Sequence, residues 1–159
     1  MTKLLDHWQA PPGAGRPVAL IATSFTFDTD FFEMQCLGRF LGLDTQRGEG
    51  HHLLAMIEEE ELLAETRVAL VVDRSERPEG RNLRWDVLTV AAKGGLQHAK
   101  ATLLVWDRHV RVVVGSANLT AAGYRSQVEI ATAFDVFDDS PLPRPFASSL
   151  LDAIDDIVA

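Results

Sequence analysis

"HAKATLLVWDRHVRVVVGSANLT", residues His98 to Thr120, has a polar cluster at each end and an apolar run between them. "ATLLVW" and "VRVVV" are rich in β-forming residues, and "WDRH" between them predicts a hairpin turn. His98 and Lys100 are separated by one residue, so on a strand both side chains share a face. The second strand delivers the chain to Gly115, where a glycine permits close backbone approach. Ser116 and Asn118 follow with short polar side chains. Eleven residues after Asn118, Glu129 sits in the apolar strand pattern "VEIATAF", where a carboxylate needs a partner.

Working outward, "VALIATSFTF" reads as a buried strand. Asp28 or Thr29 is placed to cap the helix "DFFEMQCLGRFLGL", in which Phe31, Met34, Cys36, Leu37, Phe40 and Leu41 fall close to one face. "DTQRGEG" reads as a loop and "HHLLAMIEEEELLAE" as a second helix with its four glutamates in solvent. "RVALVVD" and "WDVLTVAA" read as strands on either side of the charged turn "RSERPEGRN". Beyond the opening stretch come "NLTAAGYRS" as a loop or short helix, the strand "QVEIATAFDV", the linker "SPLPRP" and an amphipathic helix, "FASSLLDAIDDIVA". Strand–helix–strand followed by adjacent strands predicts an α/β fold: a mixed, mostly β-sheet flanked by helices on both faces. Residues 1–17, with Pro11, Pro12 and Pro17 among glycines, read as a flexible N-terminal arm, and residues 18–159 as one domain.

The bulk numbers are compatible with this. A chain of 159 residues, 47% hydrophobic and 24% charged, can bury one real core. The lone cysteine, Cys36, has no internal disulfide partner and reads as a small buried side chain. No signal-peptide pattern and no run of about 20 apolar residues is found, so the expectation is a soluble cytoplasmic protein that does not engage a membrane. The net charge of −8 argues against coating nucleic acid by bulk electrostatics. Between Lys93 and Glu129, however, five cations face two carboxylates, which suggests a focused anion site.

Chemically, the two clusters are parts of a phosphoryl-transfer site that needs no metal or other cofactor. A histidine can attack phosphorus. Lysine and asparagine donors can hold the non-bridging oxygens, and a carboxylate on the far ring nitrogen of His98 would fix its tautomer. No spacing of Cys, His or carboxylates convincingly suggests a metal centre. Singly, each element has a bland explanation: His-x-Lys is common, "GSAN" is a plausible turn, and Glu129 is an acceptable edge-strand charge. The order and spacing of the five together carry the reading. His7, His51, His52 and His109 look incidental, Trp85 and Trp106 look like core residues, and Asp28 and Asp30 look like helix-start residues.

With "HAK", "GSANLT" and "QVEI" in this order over about a fifth of the chain, the sequence resembles the phospholipase D superfamily. The resemblance implies one half of that fold and a metal-independent phosphodiesterase acting through a phosphohistidine. It implies catalytic His98, Lys100, Asn118 and Glu129, with Gly115 and Ser116 at the substrate phosphate. The family's aspartate, which follows the lysine after four intervening residues, is replaced here by Val105. Asp107, two positions late, is left only a supporting role. The long gap between lysine and glycine, and the Leu-Thr after "GSAN", are similar to nuclease members, including a type IIS restriction endonuclease and helicase-associated domains. Nucleic acid, DNA first, is therefore the expected substrate. The family's chemistry uses two histidines, and this chain has one such motif. Either two chains pair through the active-site face as a homodimer, or a second half belongs to a longer two-motif protein. The alternatives are a phospholipid hydrolase or transferase, and a non-catalytic phosphate- or nucleic-acid-binding half of a larger defence or helicase-associated protein.

Overall fold

The computed structural model describes residues 3–43, 52–76, 83–91 and 93–158. Six strands form one sheet in the order β3-β2-β1-β4-β5-β6. They are β1 (Pro17–Ser24), β2 (Arg67–Asp73), β3 (Asp86–Val90), β4 (Ala101–Trp106), β5 (His109–Gly115) and β6 (Ala131–Val136). β1, β2 and β3 run parallel, while β4, β5 and β6 form an antiparallel meander joined to β1 through β4. The mixed sheet read from the sequence is therefore present. The hairpin turns at Asp107 and Arg108, within "WDRH".

Helices cover both faces. Asp28 starts the first by accepting a hydrogen bond from the Phe31 amide at 3.0 Å. This helix runs through α1 (Thr29–Phe31), a π-helical stretch Phe32–Leu37 and α2 (Gly38–Leu41), and ends at Gly42 with φ +75°. The wider π turn changes the phase of the side chains. Phe32 enters the core, whereas Met34, expected inside, is 58% exposed. With α3 (His52–Glu65), this helix packs on the face formed by Leu20, Ala22, Val68, Leu70 and Leu104. On the opposite face, Leu150 of α5 (Arg144–Val158) meets Leu103, Ala101 and Val112. Between β5 and β6, α4 (Ala121–Arg125) is capped by Thr120, whose side chain accepts from the Gly123 amide.

Two expectations change. Residues 3–17 are not a loose arm: a 3₁₀ turn, Leu4–Trp8, buries Trp8 to 1% exposure, and its indole donates to the Tyr124 hydroxyl at 3.2 Å. Burial of this large aromatic offsets part of the chain freedom that the segment loses. Nor do all four glutamates lie in solvent. Glu59 is buried and binds Arg84 at 2.7 Å, and Glu60 binds the same guanidinium at 2.8 Å. The predicted loop over residues 44–50 lies outside the described residues, as does His51.

Candidate active site

His98 and Lys100 lie in the extended segment that leads into β4, just outside the strand itself. The ladder reaches them through one further bond, from the Gly115 amide to the Lys100 carbonyl at 3.0 Å. That bond brings the end of β5 alongside the His-x-Lys segment. The Lys100 ammonium lies 2.9 Å from His98 Nδ1, 3.2 Å from Nε2 and 2.9 Å from the His98 carbonyl. The ammonium is close to both ring nitrogens, and the tautomer decides which of them accepts. Partial burial lowers the Lys100 pKa, and the negative charge of Glu129 opposes the shift. The His98 ring is exposed and packs against Phe25, with centroids 5.2 Å apart.

The other cluster meets it from the β5–α4 and α4–β6 connections. Gly115 is required sterically: a Cβ there would lie 2.8 Å from the Ile130 carbonyl oxygen. This lets the Ser116 amide donate to that carbonyl at 3.0 Å. Ser116 Oγ accepts from the Ile130 amide at 3.1 Å and donates to the Glu129 carboxylate. Asn118 Oδ1 lies within 3.2 Å of the Phe25 amide and 3.4 Å of the Thr26 amide. Because its oxygen is engaged by backbone donors, its amide nitrogen is the end with hydrogens to offer. A pocket beside these groups is lined by Lys100, Thr102, Gly115, Ala117 and Leu119.

His98, Lys100, Gly115, Ser116, Asn118 and Glu129 therefore gather at one end of the sheet. Two details differ from the sequence reading. Glu129 precedes β6 instead of lying within it, and within one chain its carboxylate binds Ser116, not His98. Asp107 is not at the site. It lies at the far end of β4, about 20 Å away by strand rise, and accepts from the Arg16 amide at 2.9 Å. There it supports the N-terminal segment, packed against Gly15. Sequence reasoning passed over Thr23, Ser24 and Asp73. Thr23 and Ser24 end β1, and Asp73 ends β2. The Ser24 hydroxyl accepts from the Leu119 amide at 2.9 Å and donates to the Thr26 carbonyl at 2.6 Å. The only sequence signal was the presence of small polar residues at the ends of otherwise apolar strands.

Solved structures share this architecture over nearly the whole of this chain. One is a mutant of yeast tyrosyl-DNA phosphodiesterase, with a TM-score of 0.60 at 12% identity. It covers the whole of this chain, and this chain spans about a third of its length (35%). Another is Nuc from Salmonella typhimurium, described as a phospholipase D family member, with a TM-score of 0.50 at 19% identity. That match covers 96% of this chain and 82% of the other. This chain shares the fold of these structures. No family model matches the sequence, and no curated protein matches it. Among the described residues, no group of three or more His, Cys, Asp or Glu side chains could hold a metal ion. No helix among them is long and apolar enough to cross a membrane.

Proposed function

We propose that this phospholipase D-like chain is a metal-independent phosphodiesterase that acts on nucleic acid, DNA first. The observation that carries the proposal is the convergence of His98 and Lys100 with Ser116, Asn118 and Glu129 at one open end of the sheet. One ring nitrogen of His98 attacks phosphorus, and the bond to the leaving oxygen breaks. Lys100 and Asn118 donate to the non-bridging oxygens, where negative charge builds. Ser116 and the Gly115 turn shape the phosphate seat. A second histidine protonates the leaving oxygen, then takes a proton from the water that breaks the phosphorus–nitrogen bond and frees His98.

This chain has one His-x-Lys motif, so the second histidine comes from another copy or from a second phospholipase D-like half. A homodimer through the active-site face supplies it by two-fold symmetry. In that arrangement the Glu129 carboxylate, bonded to its own Ser116, would be available to a second His98. The similar structures, a tyrosyl-DNA phosphodiesterase and a phospholipase D family member, support the reaction class.

The test is hydrolysis of a simple phosphodiester, single-stranded DNA, RNA and phospholipid vesicles in excess EDTA, with His98→Ala in parallel. Cleavage of DNA that survives EDTA and is lost in the variant supports the proposal. Cleavage confined to lipid, or full activity of His98→Ala, rejects it.

A further inference from the structure

The His-x-Lys segment enters the site before β4 begins, so the strand ladder does not hold all of it. Two buried side chains from the neighbouring strands do so. Thr23, 3% exposed, donates from Oγ1 to the Ala99 carbonyl at 2.9 Å and accepts from the Ala101 amide at 3.0 Å. One hydroxyl thus spans the backbone on both sides of Lys100. Asp73, 4% exposed, accepts from the Gln97 amide at 2.7 Å through Oδ2. Its other oxygen is held by the Ser75 amide at 2.9 Å and hydroxyl at 2.7 Å. These bonds from Ser75, with the one from Gln97, keep the carboxyl below its ordinary pKa and therefore ionised as an acceptor. The gripped residues, 97, 99 and 101, alternate with the two motif residues, 98 and 100. Thr23 pairs with Val71, and Asp73 lies two residues further along β2, so both side chains act from one side of the sheet.

We propose that Thr23 and Asp73 are positioning residues for the reaction: they clamp the backbone around His98 and Lys100 and so set the angle of attack. Neither touches the reacting atoms. The inference rests on the phosphodiesterase reading above. A misplacement of about 1 Å at a reacting group can cost on the order of 100-fold in rate, which sets the expected effect.

The experiment uses the full chain with Thr23→Val, Thr23→Ser and Asp73→Asn, and with Thr66→Val as a control. Thr66 is also a buried threonine whose hydroxyl donates to a backbone carbonyl, that of Leu62 at 2.7 Å, but it lies outside the site. Three readouts are taken: kcat and KM on single-stranded DNA, amide hydrogen exchange at Gln97 and Ala101, and the ring-nitrogen NMR signals of His98 and His109. The expected result is a kcat loss of about 100-fold in Thr23→Val and Asp73→Asn with little change in KM. Thr23→Ser regains most of the rate, and Thr66→Val keeps it. Exchange quickens at Ala101 in Thr23→Val and at Gln97 in Asp73→Asn, and the His98 signals move while those of His109 stay. A kcat loss no larger than the control's, or unmoved His98 signals with unchanged exchange, overturns the proposal. If the wild-type chain cleaves none of the phosphodiesters, the functional reading fails. The exchange and NMR readouts then still decide whether Thr23 and Asp73 hold the segment.

Discussion

The two ends of the β4–β5 hairpin carry nearly the same residue types, with the histidine and the cation at the same spacing. At the open end stand His98, Lys100 and, later, Glu129. At the turn end stand His109, Arg111 and, later, Asp135. At the turn end the histidine and the arginine both bind the aspartate. Arg111 grips Asp135 through Nε at 2.6 Å and Nη2 at 3.1 Å, and His109 Nε2 lies 2.8 Å from the same carboxylate. Arg111 Nη1 also ties down the His7 and Gln9 carbonyls, and the His109 ring stacks on Phe137 at 5.2 Å. All three guanidinium nitrogens of Arg111 have partners within the fold. At the open end the carboxylate is diverted to Ser116, and the lysine faces an exposed imidazole. The lesson is that His-x-cation spacing does not distinguish a site from a structural ion cluster. Which partners the charges have already taken does.

Substitutions at the two ends separate their roles. His98→Ala is expected to cut kcat by on the order of 10³-fold or more, whereas His109→Ala leaves it within a small factor; steady-state cleavage of DNA by both variants reads this directly. Arg111→Met is expected to leave turnover in place but cost about 1–2 kcal/mol of stability, measured by urea unfolding. The figure is held to that range because Asp135 is 37% exposed and so partly screened.

The smallest effect is in the pH dependence of stability. Burial pushes the Asp135 pKa up, but hydrogen bonds from Arg111 and His109 outweigh it and hold the carboxyl below its ordinary value. A lowered carboxyl pKa contributes stability above the ordinary range near 4, and that contribution is lost as pH falls through the lowered value. Asp135→Asn should therefore be less stable than wild type at pH 7, with the gap closing below about pH 4. Thermal melts across that range check the sign.

Much of this contrast was legible in the sequence. Local patterns identified the β-rich hairpin, the flanking strands, the helix over Phe31 to Leu41 and the order of the motif residues. What escaped notice depended on distant partners. Trp8 looked like part of a loose arm because Tyr124, which receives its indole N–H, is 116 residues away. Glu59 looked solvated because Arg84 comes from another segment. Met34 was misplaced because nothing in the apolar spacing announces a π turn. Thr23 and Asp73 drew no notice, since the backbone groups they bind come much later in the chain. Asp107 was associated with the site by its nearness in sequence to the motif, yet strand geometry carries it to the opposite end of the hairpin.

The most direct test of the central claim is to trap the covalent intermediate. Wild-type protein is mixed with a phosphodiester labelled on the phosphoryl group that His98 would retain, quenched in base, digested and mapped by mass spectrometry. The account predicts a base-stable, acid-labile phosphoryl group on His98 and none on His109. Label on His109, or hydrolysis with no phosphohistidine on His98, would contradict it.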